Sequence, residues 1–600
     1  MTAGVRQEPR EATRPRAPRR TRLPALLALL VGLGGVGYRL ALLLADAPPT
    51  NSDEATMGLA ALHIAGGEGF PVWFYGQAYM GTLEAYLAAP LVALAGPSVL
   101  VLRLPTLALY ALFLALSWRL TRRLGGDRWF ALLVVGFLAL GSDRVVKNQL
   151  IAGGGYPELN PAGVVLALLT VSLCAGASGA RLPRWAAWGL VSGLMLWVDP
   201  LVLPYVLGTG AVLLAWRRRE LAGPAGLVLA GTLLLGAAPM LLDSLRHGRN
   251  PLAAVLAASG GDAAASWGER LHGGLVVGPS LATGFCSPGH CARWQLWWAP
   301  VFLLLLALAT ATAWRTLRPP SAPPVSAPAS PASAPASGAD LGELPFEANG
   351  KSPRSGGGDA RRVSAAVRLA LLAAAAAVLA AYAASNAAGR TPIESARYLS
   401  VLAVATPALL WPLWSAARRA GLWPSCRHPG GVVGSDRPGH RHLGEPEPIH
   451  RTTGGRMRTR AAGVAAVAVL AGMLGTGAVA TAGVIGGVPA THAEADRHRA
   501  LVDTLGALGV RQVRGGYWTC NRLTFASGED VRCAVVDDEL RPGFDRLPAY
   551  RRAVDADPGA AWVAPAGSPL AARLDTRLGP GPGALDLVTV AGWRIYLPRR

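Results

Sequence analysis

Apolar runs of about 15 to 25 residues recur along this 600-residue chain, separated by short arginine-rich segments. Runs of that length are what a bilayer demands of a spanning helix, so they set the fold before any other feature does. Composition agrees: 52% of the residues are apolar and only 16% are charged, too apolar for an ordinary soluble domain. The expected fold class is therefore an α-helical polytopic membrane protein. A formal net charge of +21 raises the question of nucleic acid. The basic residues are nearly all arginines lying in short runs between apolar blocks. No basic and aromatic interleaving of the RNA-binding kind accompanies them. They read as topology signals, and nucleic acid is excluded as a partner.

The apolar blocks fall near 23–44, 98–118, 129–147, 161–180, 185–198, 200–216, 223–242, 296–314, 364–384, 398–415 and 461–488, which predicts about eleven spanning helices. Seven arginines among the first 22 residues form a tail that stays in the cytoplasm, and the run 23–44 ends without an A-x-A cleavage site, so it reads as a retained helix. The segments 119–128, 181–184, 217–220, 315–368 and 416–460 are all arginine-rich and fall on the same side. That alternation predicts a cytoplasmic N-terminus, an extracytoplasmic C-terminus and a multi-pass protein of the cell membrane. The weakest pair of blocks is 185–198 and 200–216; removing both leaves the other orientations unchanged.

Between the helices, 316–363 is rich in Pro, Ala, Ser and Gly and reads as a disordered cytoplasmic linker. The linker 416–460 carries His428, His440, His442 and His450, but without the ordered spacing of a metal motif. The last segment, 489–600, changes character and reads as a helix followed by strands, a small extracytoplasmic α/β domain. Cysteine placement supports the topology. Cys174 falls in a span and Cys426 in a cytoplasmic linker, whereas Cys286, Cys291, Cys520 and Cys533 fall on the outer side, in pairs suited to disulfides. A zinc or haem reading of CSPGHC lacks a second ligand pair.

The outer loop 45–97 holds the strongest candidate chemistry. In NSDEATMGLAALHIAGG, Ser52 reads as an N-cap and the two glycines as a stop, which places Asp53 and Glu54 in a first helical turn. Acids there stabilise the helix dipole by about 0.3–1 kcal/mol, and the same field keeps a carboxylate ionised, as a general base requires. The following stretch, EGFPVWFYGQAYMGTLEAYLAAP, is aromatic and partly amphipathic and should lie in the interface. Trp73, Gln77 and Tyr79 offer a sugar-binding surface, although a Trp/Tyr interface belt is the commoner use of such residues. Glu84 is an acid on an apolar helix, costly unless it is paired or holds a cation.

With these residues in place, the chain resembles the GT-C glycosyltransferases, most of all family 39 with the protein O-mannosyltransferases and the lipid A aminoarabinose transferases. The resemblance is carried by SDEATMGLAALHI…GQAYMGTLEAYLAAPLVALAGPSVLVLRLP, GLMLWVDPLVLPYVL (193–207), GAAPMLLDSLRHG (236–248) and ESARYLSVL (394–402). It covers most of 20–415, so that 23–315 would form the transmembrane core and 364–488 its C-terminal helices. The resemblance implies transfer of a sugar from a polyprenyl-phosphate donor to a protein, glycan or lipid acceptor at the outer face, with inversion. By it Asp53 is the base, Glu54 orients the acceptor, and Glu84 is a candidate acceptor- or sugar-binding residue and a candidate ligand for a divalent metal. The basic residue that flanks that acid in the aminoarabinose transferases is absent here. For the leaving phosphate the candidates are Arg397 with Tyr398, Arg390, Arg103, Lys147, and Arg246 with His247. Asp199 and the Tyr156-Pro157-Glu158 run are candidate cavity-lining groups, as readily explained as helix punctuation. The rival classes are a transporter or flippase of lipid-linked substrates, which predicts charges at mid-span and broken helices, and an inactive relative serving as a scaffold.

Overall fold

The computed structural model describes residues 22–175, 180–250, 253, 264–289, 291–318, 356–424, 453–578 and 584–599. The arginine-rich tail, the greater part of both linkers, Cys426 and the four linker histidines lie outside them.

The first half of the chain forms α1 (Leu23–Leu44), α2 (Ser52–Gly66), α3 (Leu83–Ala95), α4 (Val99–Arg123), α5 (Arg128–Ala139), α6 (Asp143–Leu150), α7 (Tyr156–Cys174), α8 (Leu182–Val198), α9 (Leu203–Leu221), α10 (Pro224–Gly236) and α11 (Ala238–His247). Helices Trp298–Leu317, Gly356–Ala384 and Thr453–Ala507 follow, with an irregular helical stretch from Pro392 to Arg419. Among the described residues, eight helices are long and apolar enough to cross a bilayer, and two bent pairs would each add one. With the 17-residue α8, every apolar block of the sequence has its helix. The outward faces are as apolar as lipid requires: Leu29 on α1 is 58% exposed and Leu227 on α10 is 78% exposed. Inside the bundle Phe113, Phe130, Trp185, Trp298 and Phe302 are fully buried.

Several expectations need correction. The blocks 129–147 and 223–242 are not straight spans: α5 and α6 meet at 92°, α10 and α11 at 61°. Arg39 accounts for the first bend. Buried on α1, it donates to the carbonyl of Ala139 at the open end of α5 (2.9 Å) and to Gln149 on α6 (2.7 Å), while its guanidinium lies 3.9 Å from the Tyr110 ring centre. In the second, Pro239 sits in the first turn of α11, where a missing N–H costs nothing. The block 398–415 is likewise not one regular helix. Residues Ala396–Ala405 are a 3-10 helix, followed by short α-helices at Thr406–Leu409 and Trp411–Arg419, each with a proline in its first turn. Such backbone is tolerated at membrane depth because the stretch is packed inside protein.

No break occurs at residue 489. The Thr453–Ala507 helix runs 55 residues through Pro489, about 80 Å at 1.5 Å per residue, and carries the chain from the bundle into the C-terminal domain. That domain is a five-stranded sheet of β1 (Gln512–Gly515), β2 (Arg532–Val535), β3 (Ala561–Pro565), β4 (Leu585–Val590) and β5 (Trp593–Pro598), ordered β2-β1-β3-β5-β4. The β1 pairs are parallel, whereas β5 lies antiparallel to β3 and β4. A two-residue turn, Ala591-Gly592, joins β4 to β5 with both φ angles positive, as the twist of a tight hairpin requires. The stretch YWTCNRLTFA, expected among strands, is a helix (Tyr517–Ala526). Its buried Cys520, Leu523 and Phe525 pack inward while Trp518 stays exposed. Both expected disulfides are present, Cys286–Cys291 and Cys520–Cys533; the second ties this helix to β2.

Candidate functional site

Asn51, not Ser52, caps α2: its backbone is extended and its side chain accepts from the Glu54 N–H at 2.9 Å. Ser52 is thereby the first helical residue, and its hydroxyl donates to the Tyr517 carbonyl of the C-terminal domain. From there α2 and the Tyr517–Ala526 helix lie side by side in the same direction. Asn521 donates to the Thr56 hydroxyl at 2.9 Å, the Phe525 ring rests on Gly58, and Glu529 meets His63. A Cβ at Gly58 would come within 2.6 Å of that ring, so only glycine allows the approach.

This docking places two side chains of the C-terminal domain on Asp53. The Tyr517 hydroxyl and Arg546 Nη2 both donate to Asp53 Oδ1, each at 2.8 Å. Arg546 Nε donates to the same tyrosine hydroxyl at 2.6 Å and its Nη1 to the Tyr75 carbonyl at 3.0 Å. The guanidinium lies 4.5 Å from the centre of the Phe74 ring, so it is held on every side. Asp53 keeps 20% of its side chain exposed, and Oδ2 accepts no hydrogen bond among the described residues. Burial, reinforced by the Asp53 charge, holds the Tyr517 hydroxyl well above its ordinary value, so it remains a donor.

Arg397 approaches from the irregular helix, 5.9 Å from the Tyr156 ring centre and 5.6 Å from that of Tyr398. It is close enough to Asp53 for their charges to act on each other, and among the described residues its Nε has no hydrogen-bond partner. Tyr79 joins the group from the 70–82 hairpin, within reach of Tyr398, Arg546 and Arg397. Asp199, buried in the turn between α8 and α9, accepts from the Leu201 N–H at 2.8 Å, and burial pushes its carboxyl up to about 7. One guanidinium, that of Arg546, is thus bonded to the Asp53 carboxylate and a second, that of Arg397, lies within range of its charge. The excess positive charge suits an anion such as a phosphate.

Other sequence candidates lie elsewhere. Glu54 and Arg103, 0% and 1% exposed, form a two-pronged ion pair with both contacts at 2.6 Å. Arg103 also donates to the Pro48 carbonyl at 2.8 Å, so its charge is spent within the fold and does not face a donor phosphate. Trp73 is buried and donates to Asp243 at 2.7 Å, which removes it from any sugar-stacking surface. Lys147 pairs with Asp143 at 2.9 Å on α6, and His247 with Asp243 at 3.0 Å. Arg390 reaches toward the Ala264 carbonyl at 3.5 Å. Gln77 stays with Tyr79 in the hairpin, its N–H donating to the Phe74 carbonyl at 2.9 Å.

Glu84 is engaged differently from a metal ligand. Its two oxygens accept the N–H groups of Gly154 and Gly155, each at 3.1 Å, and Glu158 is its nearest acidic neighbour. Gly154 and Gly155 both have positive φ, and a Cβ on either would strike Met80 or Val198. Among the described residues no third His, Cys, Asp or Glu gathers with this pair, so it does not fit a metal centre. Burial pushes the Glu84 carboxyl up to about 7, against about 4.3 in an unfolded chain. The folded protein therefore keeps a proton that the unfolded chain has lost, and this contribution to stability is full below about 4.3 and falls as pH rises through 7. Glu84→Gln is expected to flatten that decline: thermal melts of the detergent-solubilised protein from pH 5 to 8 should show a smaller loss than the parent. A variant that declines as steeply as the parent would assign the slope to other groups.

Sequence reasoning missed Tyr517 and Arg546, because no local pattern marks a residue whose partner is 464 or 493 positions away. No protein-family model matches the sequence, and no curated protein does. Solved structures similar to the chain include ArnT from Cupriavidus metallidurans bound to undecaprenyl phosphate, at 14% identity and TM-score 0.47 over 96% of this chain and 97% of that one. Another is the archaeal oligosaccharyltransferase AglB from Archaeoglobus fulgidus in complex with an inhibitory peptide and a dolichol-phosphate, at 11% identity and TM-score 0.43 over 91% of this chain and 70% of that one.

Proposed function

We propose that the chain is an integral membrane glycosyltransferase that moves a sugar from a polyprenyl-phosphate donor to an acceptor hydroxyl on the outer face of the cell membrane. The observation that carries this reading is the Asp53 carboxylate bonded to Arg546 and within range of the Arg397 charge, a base beside a surplus of positive charge. The resemblance of the first loop to family 39 of the GT-C enzymes supports the same assignment. In the reaction, an acceptor hydroxyl takes the hydrogen-bonding place at Asp53 that Tyr517 fills here, or uses Oδ2. Asp53 takes the proton as the acceptor oxygen bonds to the anomeric carbon, and the bond from that carbon to the phosphate oxygen breaks. The lipid phosphate departs as an anion that Arg397 and Arg546 stabilise, and a single displacement inverts the anomeric centre. Tyr398 and Tyr79 line the same space and present hydroxyls to sugar or phosphate. The two disulfides accord with an outer placement of 286–291 and the C-terminal domain.

The experiment is to incubate the purified full chain in lipid nanodiscs with a panel of labelled polyprenyl-phosphate sugars. At least one should be consumed, by transfer or slow hydrolysis, with release of lipid phosphate. Folded protein that binds lipid phosphate but turns over none of a panel spanning hexoses, pentoses and amino sugars would overturn the reading.

A further inference from the structure

A second polar cluster closes the other end of the α2 docking surface. His63, in the last turn of α2, shares a 2.7 Å hydrogen bond between Nδ1 and the Tyr75 hydroxyl, while Nε2 faces Glu529 Oε1 at 3.1 Å. Glu68 lies just past the Gly67 cap of α2, and one ligand atom from each of His63, Glu68 and Glu529 falls within 4.8 Å of the other two. Glu529 comes from the C-terminal domain, where the Tyr550 hydroxyl donates to its carboxylate. This set is separate from Asp53, about 15 Å along α2 at 1.5 Å per residue.

We propose that His63, Glu68 and Glu529 bind one divalent transition-metal ion of the zinc type, joining the first outer loop to the C-terminal domain. One imidazole and two carboxylates are ligands such an ion takes, leaving a position for water. Zinc bonds of about 2.0–2.2 Å in a tetrahedron place neighbouring ligand atoms about 3.3 Å apart, close to the His63–Glu529 separation. Glu68 is exposed and needs only a side-chain rotation to close from its longer distance. Tyr75 fills the outer position that metal-bound histidines require: it holds Nδ1, fixes the ring and leaves Nε2 to the ion. Without an ion the same residues form a hydrogen-bonded His63–Glu529 contact to which Glu68 adds nothing, and that difference decides the test.

The test uses the full chain in detergent with His428, His440, His442 and His450 changed to alanine, so that the linker cannot bind metal. Zinc is titrated calorimetrically and the bound ion examined by X-ray absorption. One ion per chain is expected, with a single imidazole and oxygen ligands. Glu68→Gln, at an exposed position that should not disturb folding, should weaken binding at least tenfold; His63→Gln should abolish it; Tyr75→Phe should weaken it by about 10–100-fold. The inference is overturned if the full chain lacking the linker histidines binds no zinc, if Glu68→Gln and His63→Gln bind as the parent does, or if the bound ion has no imidazole ligand.

Discussion

Asp53→Asn is expected to lower sugar transfer by about 10²–10⁴-fold while leaving fold and lipid binding intact. Asparagine has the size of aspartate and keeps an Oδ1 that accepts from Tyr517 and Arg546, so the contact between α2 and the C-terminal domain survives. What disappears is the proton acceptor. Were Asp53 only a first-turn acid, the change would cost about 0.3–1 kcal/mol of helix stability and leave turnover nearly unaltered. The two readings thus differ by orders of magnitude in one assay. Loss of the Asp53–Arg546 ion pair is a confounding effect on stability, and the melting temperature of Arg546→Met, which removes the pair while keeping the base, measures its size. Asp53→Asn protein that melts like the parent, binds lipid phosphate and transfers sugar at near the parental rate would sink the catalytic assignment.

The bundle was legible because a bilayer tolerates so few spanning structures that length and apolarity nearly specify the helices. What the runs could not show was where a helix breaks. Arg39 reads as one charge in a clean span, yet it caps α5 and turns the chain toward α6, a relation visible only once α1 and α5 are side by side. The continuity of the Thr453–Ala507 helix was hidden for a different reason. Its apolar part ends near 488 and Pro489 looks like a stop, but the polar sequence beyond continues the same helix toward the sheet. The candidate site was half legible. Asp53 could be found from the first-turn pattern and Arg397 from its neighbourhood, whereas Tyr517 and Arg546 become neighbours only through domain docking. Adjacency in sequence hid a division between Asp53 and Glu54: successive residues of an α-helix point about 100° apart, so one acid faces the C-terminal domain while the other turns toward Arg103.

That division makes Glu54 and Arg103 the source of the largest expected stability effect. Both charges are fully buried and each completes the other through two 2.6 Å contacts. Removing one partner strands the other charge away from water, which typically costs about 3–5 kcal/mol, enough to unfold many domains. Arg103→Met alone and Glu54→Leu alone should therefore both melt far below the parent or fail to accumulate. The double variant replaces the pair with apolar groups of similar length, and such replacements are often neutral or stabilising, so it should recover most of the loss. The Pro48 carbonyl loses its Arg103 donor in every variant lacking the arginine, a shared penalty of about 1–3 kcal/mol that keeps the rescue incomplete. The double variant also separates structure from chemistry at Glu54. If Glu54 serves only to hold the α2 terminus in place, the rescued protein keeps measurable transfer, because Asp53, Arg397 and Arg546 are untouched. If Glu54 takes part in the reaction, the rescued protein folds and is inactive. A double variant no more stable than either single one would show that the pair is not the coupled unit its geometry describes.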